Sequence, residues 1–331
     1  MKNLNRPIRV FTWHIHGTYL YYLSQGNYQI YIPVTKEKQE GYYGKGDTFP
    51  FGDNVIEVPA EEVKNLEFDC VLFQSNKNWL VDQYEILNET QRALPRIYLE
   101  HDPPRHSPTD TRHVVNDPDV LIVHVSNYNK LMWNNESSKS VKVIEHGVIA
   151  PEVSYKGDLE KGIVVVNNLF QRGRRLGADI FTEVSKRVPL DFVGMGTKEY
   201  GGLGEIRHGD LPEFISHYRF FFNPIRHTSL GLAVLEAMMI GMPMVALATT
   251  EYVTVIKNYQ TGFIDTDVDY LVHKMQLLLS NKKWAADIGQ KGKQYVEDRF
   301  NIYRFTEEWE SIFETAIGKK ENYEKENSIY Q

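Results

Sequence analysis

Between Asn223 and Ala246 the chain reads NPIRHTSLGLAVLEAMMIGMPMVA: a strand end, a turn of small and polar residues, and a helix carrying one carboxylate, Glu236. The preceding FFFNP is a short apolar run of buried-strand type, and Leu232, Val234, Leu235, Met238 and Met239 recur at helical spacing after it. Gly241 and Pro243 stop that helix. Thr228 or Ser229 is placed to be its N-cap. The backbone N–H groups around Leu230, Gly231 and Leu232 are then expected to point at an anion above the turn. Glu236 falls two turns inside the helix, near its exposed rim.

A second candidate anion site follows the apolar run GIVVV, where NNLFQRGRRLGADIF puts Arg172, Arg174 and Arg175 at a turn into a helix. Ligand sites in open α/β sheets form at the C-terminal ends of strands, which is where these cations fall. A solvated basic turn is the alternative. In the first half, RIYLEHDPPRH delivers His101 and Asp102 to the end of an apolar strand, ahead of two prolines that hold an exposed turn. His106 and His113 lie on the same segment and rank lower. The first strand ends in WHIHGTYLYYL, where Gly17 opens a helix and leaves room for close backbone approach.

Two Asp-x-Asp patterns are read as structural rather than metal-binding. Asp265, Asp267 and Asp269 are placed to cap the helix beginning near Tyr270, and Asp117 and Asp119 lie in a turn before a strand. Gly194-Met-Gly196 ends a strand without opening a helix, so it is no dinucleotide fingerprint.

The stretch from Asn223 to Ala246 resembles the C-terminal half-site of glycosyltransferase family 4, whose signature is Glu-Gly-Phe-Gly-Leu, three residues, then Glu-Ala-Met and Gly-x-Pro. Gly231, Leu232, Glu236, Ala237, Met238, Gly241 and Pro243 fit that pattern, whereas Thr228 stands where the family has its first Glu. The resemblance implies a retaining enzyme of GT-B fold: α/β, with two Rossmann-like domains whose parallel sheets face across a cleft. It implies a ribose contact for Glu236, an altered sugar contact at Thr228, and a diphosphate held by Arg172 and Arg175, with Arg174 a close rival. It also implies that Ser229 to Leu232 line the diphosphate, and that His101 lies close to the donor sugar and leaving group, where its imidazole could donate a hydrogen bond to developing charge. The family's phosphate-gripping Arg is replaced by Asn168, and its paired glycines at the first turn by His16-Gly17. Cationic side chains and helix N-termini would then stabilise the departing diphosphate without a metal. The resemblance implies a nucleotide-diphosphate sugar as donor, with no other cofactor expected, and as acceptor a hydroxyl of a glycan, a lipid-linked molecule or a small molecule. A silent nucleotide-sugar-binding protein of a glycan-assembly system, or a sugar-nucleotide epimerase or phosphorylase of the same architecture, are the alternatives.

The elements that must position these residues read as short apolar runs alternating with helical patterns, the signature of parallel sheets with crossover helices. The expected strands are 8–13, 28–32, 70–73, 96–99, 120–125 and 141–144, then 162–166, 191–196, 220–224 and 243–248. A chain of 331 residues suits two domains. They are expected at 1–152 and 153–299, with a helix over about 300–317 crossing back to the first and a charged tail over 318–331. A net charge of −7 argues against nucleic acid as the main ligand. The single cysteine, Cys70, sits in the apolar run FDCVLF and is read as a core residue of a reducing compartment. No segment reaches the roughly 18 apolar residues of a bilayer span, and no signal peptide opens the chain, so a cytoplasmic protein with at most peripheral membrane contact is expected.

Overall fold

The structure, a computed structural model, describes residues 6–329, with side chains described through Gly318. The tail read at 318–331 therefore lies, beyond its first residue, outside the described side chains. The chain divides into two compact units, one of residues 1–147 with 302–331 and one of residues 148–301.

The first unit holds seven strands: β1 (Ile8–Thr12), β2 (Tyr28–Val34), β3 (Val55–Pro59), β4 (Cys70–Phe73), β5 (Arg96–Glu100), β6 (Leu121–His124) and β7 (Val141–Val143). They pair in the order β3-β2-β1-β4-β5-β6-β7, every pair parallel. The chain winds outward from β1 to β3 and then restarts at β4 on the other side of β1. The C-terminal ends of β1 and β4 thus flank the switch point where a crevice forms. β3 was not among the expected strands, because VIEVP is short, closes on a proline and lies at the sheet edge.

The second unit holds β8 (Leu159–Val165), β9 (Leu190–Val193), β10 (Tyr218–Asn223), β11 (Met244–Leu247) and β12 (Gly262–Asp265), in the order β12-β11-β10-β8-β9, again all parallel. Its switch point lies between β8 and β10. β10 is buried along its whole length, which is why FFF reads as a continuous apolar run rather than an alternating one. Phe220 and Phe222 pack into a core with Phe181, Phe192, Val245 and Phe263.

The helix Ile302–Ile329 belongs with the first unit. Trp309 and Phe313 are fully buried there. The Trp309 indole donates to the Tyr19 hydroxyl at 3.1 Å, and the Phe313 ring packs edge-on against Tyr28 at 4.9 Å. The aromatic spacing of this segment is what lets one helix face bury its rings. Among the described residues no helix is long and apolar enough to cross a membrane.

Candidate functional site

At the second unit's switch point, two turns are tied together. The first follows β8 and carries Arg172, Arg174 and Arg175, with a short 3-10 turn over Gly173–Leu176 before the helix Ala178–Val184. The second follows β10 and runs through Pro224 to Gly231. The amides of Arg226 and His227 both donate to the Arg175 carbonyl, at 3.1 and 3.2 Å, and the Arg226 guanidinium donates to the Arg174 carbonyl at 2.7 Å. Gly177 makes the approach possible: its φ of 82° is left-handed, and a Cβ there would stand 2.0 Å from the Pro224 carbonyl oxygen.

Arg226 also holds both oxygens of Asp179, at 2.6 and 2.8 Å. That charge-assisted pair holds the Asp179 carboxyl below the usual carboxylate range and raises the guanidinium, each chiefly through this hydrogen bond. Arg174, the rival candidate, pairs with the same Asp179 and is largely exposed. Arg172 and Arg175 are half-buried. Neither Arg226 nor Asp179 was picked out from the sequence. Arg226 lies two residues past FFFNP, and only its pairing partner, 47 positions away, marks it.

The helix after the second turn, Leu232–Ile240, begins later than expected. Its N-cap is Gly231, with φ −75° and ψ 132°, and no side chain caps it, so Thr228 and Ser229 are not the cap. The reason lies in Tyr252, a fully buried residue whose hydroxyl accepts the Gly231 N–H at 3.2 Å and lies 3.5 Å from the Ser229 carbonyl. This contact keeps Gly231 extended and engages an amide that was expected to face an anion. The first-turn amides of Leu232 and Ala233 precede the first i→i−4 bond of the helix. Leu230 is buried, while Thr228 and Ser229 are half-buried. Burial pushes the Tyr252 phenol up to about 12, so it remains neutral.

Glu236 projects from the second turn of this helix, where its neighbours Val234, Leu235, Ala237 and Met238 are all buried. Its Oε1 lies 3.2 Å from Nε2 of His208, on the segment between β9 and the helix Leu211–Ser216. His208 was not read from the sequence, because it lies 28 positions away in a stretch without periodicity. The loop ends after β8 and β9 are knitted as well: Asn167 Oδ1 accepts the Met195 N–H at 2.9 Å, and the Asn168 N–H donates to the Met195 carbonyl at 2.7 Å.

In the first unit His101 follows β5 and is buried. Its Nε2 bonds Gln74 Oε1 at 3.0 Å, and its ring lies 4.1 Å, centroid to centroid, from that of His16. Burial first, then the neighbouring His16 and His146, pushes its pKa well below the ordinary histidine value. Burial thus favours the neutral imidazole. Gly17 opens the helix Gly17–Leu23 as read, but the space a side chain would take there belongs to Phe49, whose ring carbon Cε2 would lie 2.4 Å from a Cβ. The absent side chain at Gly17 makes room for an aromatic residue of the Gly41 to Asp53 loop.

Asp267 caps the helix Val268–Ser280, accepting from the amides of Asp269 and Tyr270 at 2.9 and 3.3 Å. Asp117 pairs with Arg96 at 2.9 Å. Among the described residues no cluster of three or more His, Cys, Asp or Glu is arranged to hold a metal ion. Glu251 is buried, accepting from the Thr254 hydroxyl at 2.7 Å.

Residues 199–295 match the family model described as glycosyl transferases group 1. The match supports the glycosyltransferase superfamily. Capsular polysaccharide biosynthesis glycosyltransferase CapM of Staphylococcus aureus is 26% identical over 119 residues, which are 35% of this chain and 31% of that protein. The chain therefore spans about a third of that relative's length in the alignment. Among solved structures, the sucrose-phosphate synthase of Thermosynechococcus elongatus superposes with a TM-score of 0.70 at 15% identity, over 95% of this chain and all of that one. Anabaena HepE, solved with UDP and glucose, superposes with a TM-score of 0.66 at 14% identity, over 93% of this chain and 99% of its own. These likenesses identify the fold as GT-B, two units each built on a parallel sheet.

Proposed function

We propose that this protein is a glycosyltransferase of the family 4 type, moving a hexosyl group from a nucleotide-diphosphate sugar to a hydroxyl acceptor with retention and without a metal ion. The observation that carries the reading is the pair of turns at the β8/β10 switch point. One presents Arg172 and Arg175, the other leads into the helix bearing Glu236, and Arg226 binds the two together. The solved complex of HepE with UDP and glucose, on the same fold, supports a donor of this class.

In this reading Arg172 and Arg175 meet the diphosphate, together with the first-turn amides at Leu232. Arg174, Ser229, Leu230 and Gly231 shape the turns, Glu236 accepts from the ribose hydroxyls, and Thr228 meets the sugar. The bond between the anomeric carbon and the diphosphate oxygen breaks, the acceptor oxygen bonds to that carbon on the same face, and the acceptor proton passes to the departing diphosphate. Fixed cations at the place where charge develops lower the barrier without reorganising. The acceptor hydroxyl, on a glycan, lipid-linked or small molecule, is assigned to the first unit.

Calorimetric titration with UDP, GDP and ADP, followed by transfer assays with the matching sugars and a panel of acceptors, tests this reading. Nucleotide binding that Arg175→Ala weakens, and transfer that survives a chelator and retains the anomeric configuration, are expected. Nucleotide binding without hydrolysis or transfer would instead mark a silent binding protein. A strict need for Mg²⁺ or Mn²⁺ would overturn the metal-free route.

A further inference from the structure

A chain of hydrogen bonds at the first unit's switch point has a direction that its atoms determine. The Thr12 hydroxyl donates to the Leu72 carbonyl at 2.8 Å, and a carbonyl can only accept. The Thr12 oxygen is therefore an acceptor toward Gln74, whose Nε2 donates to it at 2.8 Å and to the Trp13 carbonyl at 2.9 Å. Both amide hydrogens of Gln74 are committed. The reverse amide orientation would put its oxygen against two acceptors, in a place where Thr12 and Gln74 are both buried. Gln74 Oε1 thus faces His101 Nε2 at 3.0 Å as an acceptor, and Nε2 must carry the hydrogen.

We propose that Gln74 is a positioning residue that locks His101 as the Nε2–H tautomer, leaving Nδ1 as the lone-pair nitrogen. A ligand reaching this imidazole then meets a hydrogen-bond acceptor or base, and the ligand class that suits it is a hydroxyl rather than a phosphate oxygen. Burial supports the assignment by keeping the ring neutral. Its surroundings are His16, Tyr19 at 4.8 Å between ring centroids, and the Asn129 amide, which donates to the His101 carbonyl at 3.1 Å and fixes the backbone. The consequence for transfer rests on the proposed function, whereas the tautomer itself does not. Partners that fix a metal-bound imidazole matter about tenfold or more to such a site, and an effect of the same order is expected here.

The test is a long-range ¹H–¹⁵N spectrum of the full chain with ring-labelled histidine, assigned with His101→Gln. A protonated Nε2 and an unprotonated Nδ1 at neutral pH are expected for His101. Gln74→Leu should redistribute the tautomers. In Gln74→Glu, a carboxylate beside Nε2 should raise the His101 pKa and bring the doubly protonated ring into view on mild acidification. Transfer by Gln74→Leu should fall about tenfold in kcat, while the Kd for nucleoside diphosphate stays within about twofold. A protonated Nδ1 in the unaltered protein, or an unchanged tautomer in a folded Gln74→Leu variant, overturns the proposal. Should both variants fail to fold, the spectrum of the unaltered protein still decides. If no nucleotide binds at all, the functional reading fails while the tautomer assignment stands.

Discussion

Arg226 and Asp179 form a two-pronged ion pair, 2.6 and 2.8 Å, between the turn after β10 and the helix after β8. The same guanidinium reaches the Arg174 carbonyl, so one side chain holds the arginine-bearing turn by its backbone and by its following helix. Arg226→Ala, which removes both bonds to Asp179 and the one to the Arg174 carbonyl, should weaken nucleoside diphosphate binding about tenfold. Asp179→Ala, which leaves the backbone bond in place, should cost less. Because the pair is partly exposed, either change should cost only about 1 kcal/mol of folding stability. Calorimetry and denaturant melts check both, and equal binding losses for the two variants would discount the backbone tether.

Glu236 and His208 make a second linked pair, and their roles separate by choice of ligand. Glu236→Ala should weaken UDP binding about tenfold and His208→Ala about threefold, since the histidine acts only through the carboxylate. With a 2′,3′-dideoxy nucleotide neither variant should differ from the unaltered protein. Equal losses with both ligands would show that Glu236 does not read the ribose.

Thr228 offers a neutral hydroxyl at the position that, in the proposed reading, meets the donor sugar. Thr228→Glu should change the affinity for the sugar-bearing donor relative to the bare nucleoside diphosphate, leaving the latter within about twofold. Titration of both ligands measures the ratio, and a ratio that does not move would separate Thr228 from the sugar.

Gly177→Ala places a methyl group against the Pro224 carbonyl in a left-handed conformation. A loss of about 2 kcal/mol or more is expected, together with weakened nucleotide binding as the two turns separate. Thermal melts with and without nucleotide test this. A neutral effect would show that the turns have slack.

His124 sets an acid limit for the first unit. Burial, with smaller contributions from His113 and Lys130, pushes its pKa from 6.5 down to about 4. Between those values the unfolded chain binds a proton that the native ring does not. Stability is thus complete above pH 6.5 and falls as the pH drops toward 4, by about 3 kcal/mol from this residue. Urea melts at pH 7 and 4.5 should show the loss, and His124→Gln, which cannot titrate, should reduce it.

Local sequence signals were enough for the alternation of apolar runs and helical spacings, hence two parallel sheets, for the arginine turn at a strand C-terminal end, and for Glu236 on the helix that follows β10. Those are local signals: apolar runs such as FFF and CVLF, glycine and proline stops, and the spacing of Leu232 to Met239. Tertiary structure decided what each candidate side chain does. Arg226 finds Asp179 across 47 positions, the Tyr252 hydroxyl moves the helix start to Gly231 across 21, and Gln74 sets the hydrogen of His101 across 27. Phe49 fills the space over Gly17 in the same way. Hydrogen bonds and ring contacts of this kind depend on where the fold brings distant residues, and periodicity along the chain carries no record of that.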